Sequence, residues 1–195
     1  MSGRCLDAGC GEGLYAEFLE SFGDITKIVN FDLQMPFISK RRIDPRHNEI
    51  RGSLTSLPFG DATFDCCLCS EVIEHIHEDA IAVSELARVL RPGGVLLLSV
   101  PTPPVPYDPA HVREGYTLTQ LSEVLDKCGL IITRHAYCFH VFMRVLLIVW
   151  RWQFGNLGKN KRSYLPRFII LIFGYADKYL KLGRPWDLVV LAEKN

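Results

Sequence analysis

The sequence predicts an α/β fold: a doubly wound, mostly parallel sheet with helices on both faces. Three observations predict it. Short apolar runs alternate with helical stretches through the first two thirds of the chain, the pattern of successive β-α-β units. The first apolar run ends in Asp7 and then in a loop with glycine at alternate positions, Gly9, Gly11 and Gly13. The second run ends in another acid, Asp32, at about the 20-residue offset expected of a carboxylate that binds ribose hydroxyls. With 195 residues, 48% of them hydrophobic, the chain can bury one domain core and is not disordered.

The elements follow in order. Residues 4–8 form the first strand and 12–22 a helix entered from the glycine loop. Strands are expected over 27–32 and 49–51, then over the cysteine-rich run 64–69. A helix over 78–90 leads through Arg91-Pro92-Gly93-Gly94 into a strand at 95–100. Pro101, Pro103, Pro104, Pro106 and Pro109 make the next loop. Ligands of open α/β sheets lie beyond the carboxyl ends of strands, so this stiff loop is placed to shape a substrate side. A helix over 117–127 has Thr117 as N-cap, with Gln120 completing a capping box. Strands over 130–137 and 187–193 close the sheet.

Glycines at alternate positions allow a tight turn and close approach of backbone to a ligand. The helix after them would point its amides at the same place. A dinucleotide fingerprint, G-x-G-x-x-G, wants glycine where this chain has Leu14. What stands here is G-x-G-x-G preceded by Asp7. Further along come Leu57-Pro58-Phe59, Phe64-Asp65, Glu71-Val72-Ile73-Glu74-His75 and Leu90-Arg91-Pro92-Gly93-Gly94. This ordered set resembles the class I S-adenosylmethionine-dependent methyltransferases of the type 11 kind, over residues 4–130 and again at 186–193. The resemblance implies a Rossmann-like domain over 1–195 with a seven-stranded sheet and an antiparallel last strand. It implies S-adenosylmethionine as cofactor and methyl transfer to a small-molecule or lipid-like acceptor. It also implies helices ahead of the glycine loop, where this chain has only Met1, Ser2 and Gly3.

By that resemblance the cofactor contacts are Asp7, Gly9, Cys10, Gly11, Gly13, Asp32, Leu33, Ser53, Leu54, Ser70, Glu71 and Val72. Ser53 stands where the family often has an acid for the adenine amino group; a hydroxyl accepts that bond less strongly than a carboxylate. An oxygen or nitrogen nucleophile can need its proton removed. His111 and His75 are the candidates, with Glu74 and Tyr116 beside them, and His111-Val112-Arg113 resembles an H-x-R stretch of small-molecule members. Two other readings remain: an inactive cofactor-binding partner subunit, and an NAD-dependent oxidoreductase. Against the second stand the glycine spacing and the lack of a Tyr-x-x-x-Lys pair.

The formal net charge of zero gives no global attraction to nucleic acid. Seven cysteines lack paired spacing, and Cys66, Cys67 and Cys69 alternate faces of one strand, which suits core packing and not a metal. Reduced thiols point to a cytoplasmic compartment, and no signal peptide precedes the first strand. The outlier is a helical insertion at 140–185, about 45 residues where an ordinary connection is short. It carries nine basic residues against the single acid Asp177, a net +8, which leaves −8 on the rest. Two apolar helical runs, 139–152 and 168–182, flank a polar turn at 155–163. His140, Arg144 and Arg151 fall on one stripe, with Trp150 and Trp152 among the apolar residues. Neither run reaches the roughly 20 apolar residues that span a bilayer. The hairpin is expected to wall an apolar substrate pocket, to lie on a membrane surface, or to form a homodimer contact, and its charge favours an anionic acceptor or surface.

Overall fold

The computed structural model describes residues 1–34, 44–104, 109–154 and 167–195. Strands β1 (Gly3–Ala8), β2 (Ile25–Asp32), β3 (His47–Arg51), β4 (Phe64–Ser70), β5 (Leu90–Pro101), β6 (Leu130–Cys138) and β7 (Asp187–Lys194) form one seven-stranded sheet in the order β3-β2-β1-β4-β5-β7-β6. The first five run parallel, and β7 is antiparallel to both β5 and β6. The doubly wound order expected from the sequence is the one observed.

The sheet buries both faces, as strand alternation dictates. Leu6, Ala8, Phe31, Cys67, Cys69 and Leu98 pack on one side under α2 (Asp79–Val89) and α3 (Leu118–Asp126). Cys5, Ile28, Cys66 and Leu68 pack on the other with Leu19 of α1 (Ala16–Glu20). Each fully buried Leu, Ile or Phe contributes about 1.5–3 kcal/mol relative to exposure. The cysteines divide between the two faces as expected, all of them free thiols. Thr117 caps α3 in a complete capping box with Gln120.

The Leu57-Pro58-Phe59 segment is held by packing. The Phe59 ring meets Phe31 and Phe64 edge-on at 5.7 and 5.0 Å, and Arg88 of α2 donates to the Phe59 carbonyl at 2.8 Å.

One local expectation is corrected. The first helix is not 12–22 but the five residues Ala16–Glu20. Gly11 and Gly13 have φ of 50° and 72°, which no right-handed helix accommodates, so residues 11–15 form turns. A helix terminus therefore does not face the ligand site; the glycine turn does. The insertion does contain two helices, α4 (Val141–Phe154) and α5 (Arg167–Leu180). Its polar residues divide between interior and surface, with Lys178 and Lys181 exposed. His140 and Asp177 are buried. The Asp177 carboxylate accepts from the amides of His140, Phe142 and Met143 at 2.6, 3.1 and 3.3 Å, capping α4 from a neighbouring helix. The Arg144 guanidinium lies 4.4 Å from the Trp186 ring centroid. The turn at 155–163, Pro106, and the side chains of Trp150, Arg151 and Trp152 lie outside the described residues.

Candidate functional site

The glycine turn is pinned to the end of β2. The amides of Gly9 and Cys10 both donate to the Phe31 carbonyl, at 2.7 and 3.1 Å, and the Gly13 amide donates to the Cys10 carbonyl at 2.8 Å. Gly9 has φ +80°, and a Cβ there would lie 2.3 Å from Val72 Cγ2, so turn and post-β4 segment touch backbone to side chain. Gly11 differs: a Cβ would meet nothing within 4 Å. That empty volume above Gly11 is the cradle.

Two carboxylates stand at the ends of the strands on either side of the turn. Asp32 accepts from the Gly11 amide through Oδ2 and from the Gln34 amide through Oδ1, both at 2.8 Å. Each oxygen has a second lone pair with which to accept a ligand hydroxyl. Asp7 is buried, and its Oδ2 has no hydrogen-bond partner among the described residues. Burial, then the charge of Asp32, push its carboxyl up to about 7. A buried unpaired carboxylate is costly, and an ammonium placed there would satisfy it. These features fit the methionine and ribose parts of S-adenosylmethionine.

The remaining predicted contacts surround the same edge. Cys10 is buried, and desolvation, then Asp7, raise its thiol to about 12, so it packs as a neutral group. Leu54 is buried and Leu33 exposed beside Asp32. Ser53 turns its hydroxyl to Thr55 Oγ1 at 2.8 Å within its own turn. Glu71 holds φ +55°, a left-handed conformation at the end of β4 that is uncommon outside glycine and asparagine.

A largely apolar cavity of about 260 Å³ is lined by Phe18, Leu68, Leu97, Phe139 and Val189, with Tyr15, Ser70, Glu71, Ser99 and Asp187, and Glu71 adjoins the Val72 that packs on Gly9. One hydrogen-bonded chain runs along its wall: Ser70 Oγ to Tyr15 Oη at 2.9 Å, Ser70 to Ser99 at 2.7 Å, and Ser99 Oγ to Glu71 Oε1 at 3.0 Å. Burial, then Glu71, raise Asp187 to about 7. Tyr15, Ser99 and Asp187 were not singled out from the sequence. Ser99 was within reach, since it lies in β5 opposite Ser70. So was Asp187, which begins the last strand, antiparallel as expected, and therefore stands at the carboxyl edge.

His75 and His111 do come together, with ring centroids 4.6 Å apart. His75 Nδ1 faces the Ala110 carbonyl at 2.9 Å, and its Nε2 is 3.7 Å from Glu74 Oε1. His111 Nδ1 and both Glu74 oxygens are buried without a hydrogen-bond partner among the described residues. Burial, then Glu71, raise Glu74 to about 8. Tyr116 leaves the list of bases. It is buried, donates to Asp79 Oδ2 at 2.6 Å, and with the Arg113–Asp79 ion pair anchors the loop carrying His111.

Glu74→Gln is expected to flatten the pH dependence of stability. With its folded pKa above the usual carboxylate value, the acid stabilises the fold at low pH, and that contribution is lost as pH rises toward 8. The variant should melt about as the parent does at pH 5 and a few degrees higher at pH 8, by scanning calorimetry at both values.

Residues 6–98 match a family described as a methyltransferase domain. A probable S-adenosylmethionine-dependent methyltransferase of Mycolicibacterium smegmatis is 34% identical over 147 residues, covering 69% of this chain and 54% of that protein. A demethylmenaquinone methyltransferase of Clavibacter sepedonicus is 34% identical over 118 residues, covering 59% of this chain and 46% of that one. The chain spans about half the length of the curated relatives it matches. Among solved structures, phosphoethanolamine N-methyltransferase 2 of Haemonchus contortus, in complex with S-adenosyl-L-methionine, superposes with a TM-score of 0.70 at 18% identity, over 100% of this chain and 49% of that one. Glycine turn, strand-end acids, sheet order and relatives agree: over residues 6–98 the chain carries a methyltransferase domain of the class I S-adenosylmethionine-dependent kind.

Proposed function

We propose that this protein transfers a methyl group from S-adenosylmethionine to a small or lipid-like acceptor seated in the 260 Å³ cavity. The observation that carries this reading is a glycine turn beside a buried carboxylate, Asp7, whose Oδ2 has no hydrogen-bond partner among the described residues, with a largely apolar cavity, edged by Ser70, Glu71, Ser99 and Asp187, on the segment that follows β4. The cofactor brings an activated methyl group, so the protein has chiefly to align the partners. Asp32 would hold the ribose and Asp7 the ammonium, with Gly9 and Gly11 admitting the backbone. Cys10, Gly13, Leu33, Ser53, Leu54, Ser70, Glu71 and Val72 complete the proposed cofactor shell.

Asp187 is the group we assign to take the acceptor's proton. It lines the cavity, and its pKa of about 7 matches neutral operation. A second reading gives that role to the His111–His75 pair, favoured by the unpaired His111 Nδ1 and the 4.6 Å ring contact. His75 and Glu74 would then accept charge behind His111.

Calorimetric titration with S-adenosylhomocysteine tests the cofactor half, and heat is expected with it and none with NAD. Asp32→Ala should weaken that binding by roughly 1.5–3 kcal/mol, the scale of lost charge-assisted hydrogen bonds. A folded variant with unchanged affinity places the ribose elsewhere. The acceptor half is tested by a methyl-transfer screen over amphiphilic acids, phenols and amines, and an active cofactor site with no product from any of them would favour an inactive partner subunit.

A further inference from the structure

The α4–α5 hairpin turns apolar stripes outward. On α4 the exposed side chains are Val145, Ile148 and Val149, at i, i+3 and i+4. On α5 Leu171, Ile172, Tyr175 and Tyr179 share one face and are each more than 60% exposed, while Asp177 is buried on the opposite side. Leu182 continues the stripe beyond the helix. This polarity is the reverse of a surface helix that buries its apolar face. The charges are arranged around it. Lys178 places its ammonium 5.4 Å from the Tyr179 ring centroid, and Lys181 and Arg184 are exposed just after. Across 140–185 the net charge is +8, against −8 for the remainder.

We infer that the α4–α5 hairpin docks on an anionic lipid surface, with its apolar stripes at the acyl boundary and its basic residues among the headgroups. Each helix has 14 residues, about 21 Å at 1.5 Å per residue, short of the ~30 Å hydrocarbon core. Among the described residues no helix is long and apolar enough to cross a membrane. Lying in the interface is what helices of this length and polarity do. Tyr175 and Tyr179 suit that depth, with apolar rings and polar tips. The alternative cover is a second copy of the chain. A twofold contact would lay the same basic face on itself, and like charges oppose it, whereas anionic headgroups complement it.

The connections also set an orientation: the hairpin joins the end of β6 to the start of β7, and both lie at the carboxyl edge of the parallel strands, so docking brings that edge toward the lipid. A larger open cavity, about 1050 Å³, lies between β6 and α5, and Leu171, Tyr175 and Tyr179 of the α5 stripe form part of its wall. It shares Cys138 and Phe139 with the 260 Å³ acceptor cavity, so one wall separates the docking side from the proposed reaction site. Delivery of an acceptor from the bilayer rests on the proposed function; docking does not.

Co-sedimentation of the full chain with phosphatidylcholine vesicles, with and without phosphatidylglycerol, tests this. Binding is expected only with phosphatidylglycerol and should fall steeply as salt rises, since screening lengths shorten to ~8 Å at physiological ionic strength. Lys178→Ala with Lys181→Ala should weaken it about 30-fold, from the usual contribution of each basic residue at a surface. Ile148→Asp with Leu171→Asp changes two exposed positions, leaves the circular dichroism unchanged, and should abolish binding. No pelleting with anionic vesicles at low salt overturns the proposal, as does undiminished pelleting of the folded aspartate variant. So does a dimer in sedimentation velocity that the aspartate variant dissociates. S-adenosylhomocysteine calorimetry on the same sample keeps the two readings apart: heat without vesicle binding defeats docking alone, and vesicle binding without heat defeats the methyltransferase reading alone.

Discussion

Asp187→Asn should lower kcat by about 10²–10⁴-fold, the usual worth of a positioned general base, while raising stability at alkaline pH. The two effects share one cause. The Asp187 carboxyl is raised to about 7 by burial and by Glu71, so ionising it disfavours the fold while readying it to accept a proton. Its folded pKa lies above the unfolded value, so its stabilising contribution is complete in acid and is lost as pH rises through 7. Asparagine cannot ionise. The variant should therefore melt above the parent at pH 8 and close to it at pH 4, with S-adenosylhomocysteine affinity unchanged. Steady-state methyl transfer and scanning calorimetry on one preparation check both halves. Should Asp187→Asn retain kcat within about threefold while His111→Ala loses it by the factor expected of a general base, the proton goes to the histidine pair instead.

The second large effect separates two glycines that look equivalent in the motif. Gly9→Ala should cost about 3 kcal/mol of stability, near 10 °C in melting temperature. The φ of +80° accounts for roughly 1–2 kcal/mol of that, and a Cβ 2.3 Å from Val72 Cγ2 forces repacking for the rest. Gly11→Val should cost the fold only its backbone strain, roughly 1–2 kcal/mol, because a Cβ there meets nothing within 4 Å. It should nonetheless abolish cofactor binding, since its side chain fills the cradle. Thermal melts and calorimetric titrations of the two proteins distinguish these fates; a stable Gly9→Ala, or a Gly11→Val that still binds S-adenosylhomocysteine, would move the cofactor site.

Much of this was legible in the sequence because it is local. Strand spans follow from short apolar runs bounded by turn residues, and all seven were found near their observed positions. The Thr117–Gln120 capping box is a three-residue relation and needs no tertiary context. The glycine turn and Asp32 lie at the ends of adjacent parallel strands, an arrangement that the β-α-β order already implies. The first helix was overextended for a local reason too: glycine spacing was read as a helix entry, although Gly13 sits at φ +72°.

What the sequence by itself determined is therefore the order and span of the elements, the kind of domain, and the half of the site built at the carboxyl ends of β1 and β2. These depend on contacts between neighbours in chain or sheet. Only the tertiary structure decided the other half. It set Asp187 near enough to Glu71 for that charge to raise its carboxyl, both on one cavity wall. It brought His111 edge-on to His75 and buried Glu74 3.7 Å from the His75 ring. It drew Asp177 inward to cap α4, where its carboxylate accepts from the amides of His140, Phe142 and Met143. Except for Glu74, each of these joins residues about 30 or more positions apart, and no periodicity within a segment encodes which face of that segment a distant partner will claim.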